Sequence, residues 1–406
     1  MNFLFLMSFL FMVVYVYAFI KMKNYLIVLP IFYSIVNIYS LLGLYYFDFA
    51  KIVPFDLYKG ITYDDIYNTS IIYIIASLSF FVGSLCKKGN KSDFFSTISK
   101  KILMIPDIYK LLIVSITILS LTFGYGFEAI ISRYGYIDMA VDRNKTLLIV
   151  YMLTLPISSF LLPFVKNKTI SLCAFFIVFL LIFGTTARML LLLPVFYFIG
   201  DLVKNRKISL IKVTICIIVV LFIFTFTLEF RNNYKQGIIN NLDYLLNNGL
   251  GTEYLNLGFN YILSFSFLVL SNVTKYFNGN LEATLISINP LPSSMLDINY
   301  MLSHQSLNSN SPFSAISILA LEGYSIVCLY YFIASLVFGF ISNYFIKKKN
   351  PLLLIIMVLF FMFTFFSIQY NLRGATRFLY YTIMIFVVYN IYYVIKAGVF
   401  IKIGRK

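Results

Sequence analysis

The sequence predicts an all-α, polytopic membrane helix bundle of about eleven spans with one large extramembrane loop. Three observations carry this reading. The 406 residues are 61% hydrophobic and only 12% charged, about half the charge of a soluble domain, and their mean hydropathy is +0.88. The apolar residues fall in runs long enough to cross a bilayer, which takes about 20 residues. The basic residues fall in short clusters between those runs, as they do where a membrane chain sets its own orientation. The net charge of +16 therefore reads as topology and not as affinity for nucleic acid.

Taken in order, the runs are 2–20, 25–47, 70–86, 111–127, 147–165, 169–185, 187–203, 208–228, 324–346, 351–368 and 378–395. The first lacks a basic leader and is too long for a signal-peptide core, so it is expected to be a retained helix. Pro30, Pro156 and Pro194 lie inside runs, which membrane helices tolerate. Cys86, Cys173, Cys216 and Cys328 lie in or at the ends of runs without CxxC spacing. They are expected to be buried small apolar residues, with no disulfide or zinc site. The chain divides into residues 1–228 with eight spans, a large hydrophilic segment over 229–312, and residues 313–406 with three spans and a basic tail. That segment is too long for a connector. Within it, Leu255–Leu270 is apolar but short for a span, which predicts an interfacial or re-entrant helix.

Placing the N-terminus outside puts 21 basic and three acidic residues on the inner loops, and 11 basic and 13 acidic on the outer ones. No loop breaks the alternation, so the N-terminus is expected outside and the C-terminus in the cytoplasm. Lysine and arginine obey this rule alike but differ in recognition chemistry. Only five of 24 lysines lie outside, against six of eight arginines: Arg133, Arg143, Arg188, Arg231, Arg373 and Arg377. A guanidinium offers paired donors to phosphate oxygens, so arginine kept on the side that disfavours positive charge points to an anionic ligand there. The competing reading pairs these arginines with the outer acids or with lipid headgroups.

Arg188 is the most constrained, because two spans share the 35 residues from Thr169 to Val203. At 1.5 Å per residue that is about 52 Å, short of the roughly 60 Å of two crossings. The turn Gly184-Thr185-Thr186-Ala187-Arg188 is expected to lie below the surface, where a charge needs a partner or a watery cavity. Arg373 and Arg377 open the last span and share a helix face at i and i+4. Glu322, before Gly323 and Tyr324, sits at the lip of the ninth span, as a base or as an arginine partner. His304, the one histidine, lies late in the large loop and has a side chain whose ordinary pKa suits acid-base work. A lone loop histidine also has the plainer reading of an incidental residue. Asn289-Pro290-Leu291-Pro292 is a rigid turn suited to holding the loop against the membrane.

This layout resembles the O-antigen polymerase family, the Wzy-type polymerases of oligosaccharide repeat units. The likeness rests on the length, the span number and the late outer loop. It rests also on the arginine turn Gly184 to Arg188, Glu322-Gly323-Tyr324 after the loop, and Arg373-Gly374 before the last span. The resemblance implies a GT-C-like, multi-pass glycosyltransferase of the inner membrane. Such an enzyme joins undecaprenyl-diphosphate-linked units into O-antigen or a similar polysaccharide on the periplasmic face, without cofactor or metal. Arg188, Arg231, Arg373 and Arg377 would hold the donor and acceptor diphosphates, with Glu322 or His304 as base. Its partners would be the lipid-linked oligosaccharides and membrane lipids, with no nucleic acid; a chain-length regulator is allowed for but has no signal in the sequence. Two alternatives stay open. A related O-antigen ligase typically shows a His-Asn pair in this loop, where this chain has His304-Gln305. A lipid-linked oligosaccharide flippase would line a central pathway with charge, of which the spans carry little.

Overall fold

The computed structural model describes every residue except 1, 23, 47–59, 86–93, 136, 138–142, 206–214, 216–218, 221, 224, 226, 228, 231–232, 250–257, 259, 261–262, 309–310, 349 and 404–406. It comprises two compact units, Met1–Lys91 with Asn260–Lys406, and Ser92–Phe259. The sequence reading divides the chain at 228 and 312 instead.

The first unit opens with α1 (Asn2–Met22), α2 (Val28–Tyr46) and α3 (Tyr63–Leu85). The second holds α4 (Phe94–Met104), α5 (Asp107–Tyr125), α6 (Phe127–Ile131), α7 (Lys145–Leu161), α8 (Lys168–Thr185), α9 (Leu192–Asn205) and α10 (Ile238–Asn248). In it β1 (Arg133–Tyr134) pairs antiparallel with β2 (Lys235–Gln236). The chain then completes the first unit with α11 (Phe265–Tyr276), α12 (Leu281–Ile288), α13 (Ile298–His304), α14 (Ala315–Leu321), α15 (Tyr324–Lys347), α16 (Leu353–Gln369) and α17 (Leu372–Ile403). Between α13 and α14, β3 (Ser306–Asn308) pairs with β4 (Ser311–Pro312).

Among the described residues eight helices are long and apolar enough to cross a membrane, so the chain is a nearly all-α, multi-pass membrane protein. The span predicted at 351–368 is α16, slightly short at 17 residues. It is apolar all round and buried along nearly its whole length, so it is an inner helix of its unit. The span predicted at 187–203 becomes a 3-10 turn, Arg188–Leu191, followed by the 14-residue α9. The shortage of chain noted between Thr169 and Val203 thus falls on α9. Most of 208–228 lies outside the described residues.

Asparagine starts these helices. The Asn144 side chain accepts from the Thr146 and Leu147 amides, and Asn167 from those of Thr169 and Ile170, satisfying donors that the first turn leaves open. Gly323, at φ +106, breaks the long apolar run into α14 and α15, a conformation that costs glycine little. Within the first unit, buried tyrosines are paired with hydroxyls: Tyr33 with Tyr331 at 2.6 Å and Ser367 at 3.0 Å, and Tyr73 with Ser266 at 2.7 Å. In lipid, such pairing spares each hydroxyl the cost of burial without a partner. Cys173 and Cys328 are exposed on α8 and α15, not buried as expected; Cys86 and Cys216 lie outside the described residues.

Of the segment predicted as interfacial or re-entrant, the part within α11, residues 265–270, is packed inside the first unit. Phe267, Leu268 and Leu270 are fully buried. Ser266 meets Tyr73 midway along α3, and Lys275 meets Asp65 near its start at 3.0 Å. α11 therefore runs beside the first half of α3. Residues 255–257, 259 and 261–262 of that segment lie outside the described residues.

Candidate functional site

Four of the six predicted site residues gather around one short helix, α12, in the first unit. Asn280 caps it by accepting from the Ala283 amide. Thr284, buried on α12, donates its hydroxyl to Glu322 Oε1 at 3.0 Å. Glu322 itself ends α14, half-buried, and no ion pair to it occurs among the described residues. The arginine pairing weighed for Glu322 is thus replaced by a neutral hydroxyl, and its second oxygen is open.

His304 approaches the same helix through Tyr300. Its ring stands 4.4 Å from the Tyr300 ring, and the Tyr300 hydroxyl donates to Glu282 Oε2 at 3.3 Å while accepting from Asn280 Nδ2 at 3.1 Å. His304 Nδ1 lies 3.0 Å from the Tyr300 carbonyl oxygen. Ser303 Oγ lies 3.1 Å from the same nitrogen, so Nδ1 finds a partner in either neutral tautomer, donating to the carbonyl or accepting from the hydroxyl. The residue is exposed. Its neighbour Gln305 is 4% exposed and accepts from Ser287 of α12 at 2.6 Å. Gln305 therefore ties α13 to α12.

Arg373 and Arg377 meet the other end of α12. Arg373 Nη1 donates to the Ile286 and Asn289 carbonyls, both at 3.1 Å, and Nη2 to the Leu291 carbonyl at 2.7 Å. Tyr380 donates to the Ile288 carbonyl beside them. A guanidinium at a helix C-terminus satisfies carbonyls that the last turn leaves open and complements the helix dipole. Arg373 is only 6% exposed, and its Nη1 and Nη2 are taken up by main-chain oxygens that hold the Asn289–Pro292 turn. Arg377, four residues on, is exposed and donates to Ser293 Oγ at 3.0 Å. Like charges at i and i+4 repel, and the hydrogen-bond partners of both arginines are neutral oxygens. Among the described residues the pair has no carboxylate counter-charge.

The remaining predicted residues belong to the second unit. Arg188 opens the 3-10 turn after Ala187; of it only the backbone is described. Arg231 lies outside the described residues. The turn before Arg188 is held by Arg133, which the sequence places among the outer arginines without giving it a task. Arg133 is 7% exposed and donates to the Gly184 carbonyl at 2.6 Å, the Thr185 carbonyl at 3.1 Å, Thr186 Oγ1 at 3.1 Å and Gln236 Oε1 at 2.9 Å. Thr186 sits at φ +54, a left-handed conformation costly for a β-branched residue. Its hydroxyl donates to Gln236 Oε1 at 2.9 Å, so Arg133 and Gln236 together hold the strained turn from which Arg188 departs. Glycine spacing at 184 signals a tight turn in the sequence; nothing in the sequence signals Gln236.

In the second unit lysine and arginine also separate by helix end. Lys110, Lys166 and Lys168 lie where α5 begins, α7 ends and α8 begins; Arg133 and the 184–188 turn follow where α5 and α8 end. Lys110 Nζ bonds Asp107 at 2.9 Å and the Phe164 carbonyl at 3.0 Å, so buried lysine here caps a helix end. No family model, curated protein or solved structure matches the chain.

Proposed function

We propose that this chain is a glycosyltransferase of the inner membrane that polymerises lipid-diphosphate-linked oligosaccharide units on the outer face, with its C-terminus in the cytoplasm. One observation carries the reading: Arg373 and Arg377 place two positive charges on one face of the first turns of α17 with only neutral oxygens as partners among the described residues. A diphosphate headgroup supplies the missing counter-charge, and Arg377, exposed beside Ser293, is the residue that reaches it. In the proposed step the anomeric carbon to phosphate bond of the donor breaks and the acceptor sugar hydroxyl bonds to that carbon. The lipid diphosphate leaves with the electron pair. Guanidinium groups that meet the growing negative charge stabilise the transition state more than the ground state.

His304 and Glu322 stand as the two candidates for taking the hydroxyl proton. His304 is exposed, and its neutral ring offers a nitrogen lone pair that can take a proton. Arg188 and Arg231 remain proposed diphosphate contacts on the strength of the sequence. Adding Arg188→Ala or Arg377→Ala back to a gene deletion should shorten the surface polymer to a single repeat. Normal chain length from every expressed variant rejects the proposal, and loss of all attached glycan points to a ligase instead.

A further inference from the structure

The second unit buries a carboxylate that the proposed step does not use. Glu229 is 2% exposed; its Oε1 accepts from the Tyr244 hydroxyl at 3.1 Å, and its Oε2 is buried with no partner among the described residues. Asn241 lies three residues before Tyr244 on the same face of α10 and is fully buried. Its Nδ2 donates to the Phe183 carbonyl at 3.2 Å, and its Oδ1 is likewise buried without a partner among the described residues. Phe230 joins the two groups, its ring 5.4 Å from Phe183 and 5.8 Å from Tyr244, edge to face with each. Two unpartnered oxygens in one aromatic setting are costly, since each forgoes a hydrogen bond that water would have supplied.

Both open atoms are acceptors, so the group that satisfies them must donate. The rings around them suit the C–H face of a saturated ring. A pyranose presents both features, hydroxyl donors on its edge and an apolar face. We infer that Glu229, Asn241, Phe230 and Tyr244 form a sugar subsite, an inference that rests on the proposed reading of the substrate as a glycan. The oxygens are covered in this structure. α10 is bounded at both ends by glycines of positive φ, Gly237 at +114 and Gly249 at +66.

The test is saturation-transfer NMR on the purified full chain in detergent, with glucose, galactose, rhamnose and N-acetylglucosamine as probes and mannitol as a polyol without a ring. Wild type should show transfer to at least one pyranose and not to mannitol. Glu229→Gln keeps the acceptor for Tyr244 but places a donor where the open oxygen was, and should lose the signal severalfold. Should that variant fail to fold, Glu229→Asp withdraws the oxygen by one methylene and should show the same loss. Equal transfer in wild type and variant, transfer to mannitol alike, or no transfer to any pyranose overturns the subsite. The polymerase reading fails separately, on polymer length in the Arg377 variant, because sugar binding needs no arginine at that position.

Discussion

Replacing Arg373 by lysine keeps the charge and removes the fork. In the structure one nitrogen bridges the carbonyls of Ile286 and Asn289 while the other binds that of Leu291 at 2.7 Å. A single ammonium cannot occupy both nitrogen positions, so at least one charge-assisted hydrogen bond is lost, worth about 1.5–3 kcal/mol. Taking about 2 kcal/mol, the population in which the 286–293 segment is released rises roughly thirtyfold. Hydrogen exchange reads this directly. The Leu291 amide bonds Asn289 Oδ1 and the Met295 amide bonds the Pro292 carbonyl, and both should exchange about thirtyfold faster in Arg373→Lys, with α16 amides unchanged. Rates within about threefold of wild type would refute the assignment of Arg373 as the loop's anchor.

Three further outcomes follow from the same geometry. Gly184→Ala should destabilise the second unit by about 1–3 kcal/mol, read as earlier thermal unfolding, because a Cβ there would stand 2.5 Å from the Ile130 carbonyl oxygen. Tyr33→Phe removes bonds to Tyr331 and Ser367 and should cost about 1–2 kcal/mol, with a double mutant including Tyr331→Phe costing less than the sum of the singles. Single cysteines at Ser293 and Asn350, in a background free of the native ones, should be labelled from opposite sides of sealed spheroplasts. Labelling from one side would overturn the orientation.

The spans were legible because a bilayer demands long apolar runs, and the eight long helices fall where such runs stand. α9 was not legible as a short helix, since apolar composition continues through the 3-10 turn at Arg188. The packing of α11 was hidden for a related reason: LNLGFNYILSFSFLVL has the composition of an interfacial helix, and only the contacts that α11 makes with Tyr73 and Asp65 show that this helix runs beside α3. At the candidate site, residue type was enough to single out His304, Glu322, Arg373 and Arg377. Their partners were not readable, because they are main-chain carbonyls and hydroxyls in α12 and its following turn, 38 and more residues away for Glu322 and 82 to 87 for the Arg373 carbonyls. Arg133 shows the same blindness, a guanidinium matched to a helix end and not to an anion.

In the proposed step the exposed guanidinium of Arg377 meets a leaving diphosphate. Purified chain, given a synthetic lipid-diphosphate-linked oligosaccharide in detergent, should build a ladder of polymers and release lipid diphosphate. Arg377→Ala should slow that release by about a hundredfold or more. No ladder from wild type, or an unchanged ladder from the variant, contradicts the account.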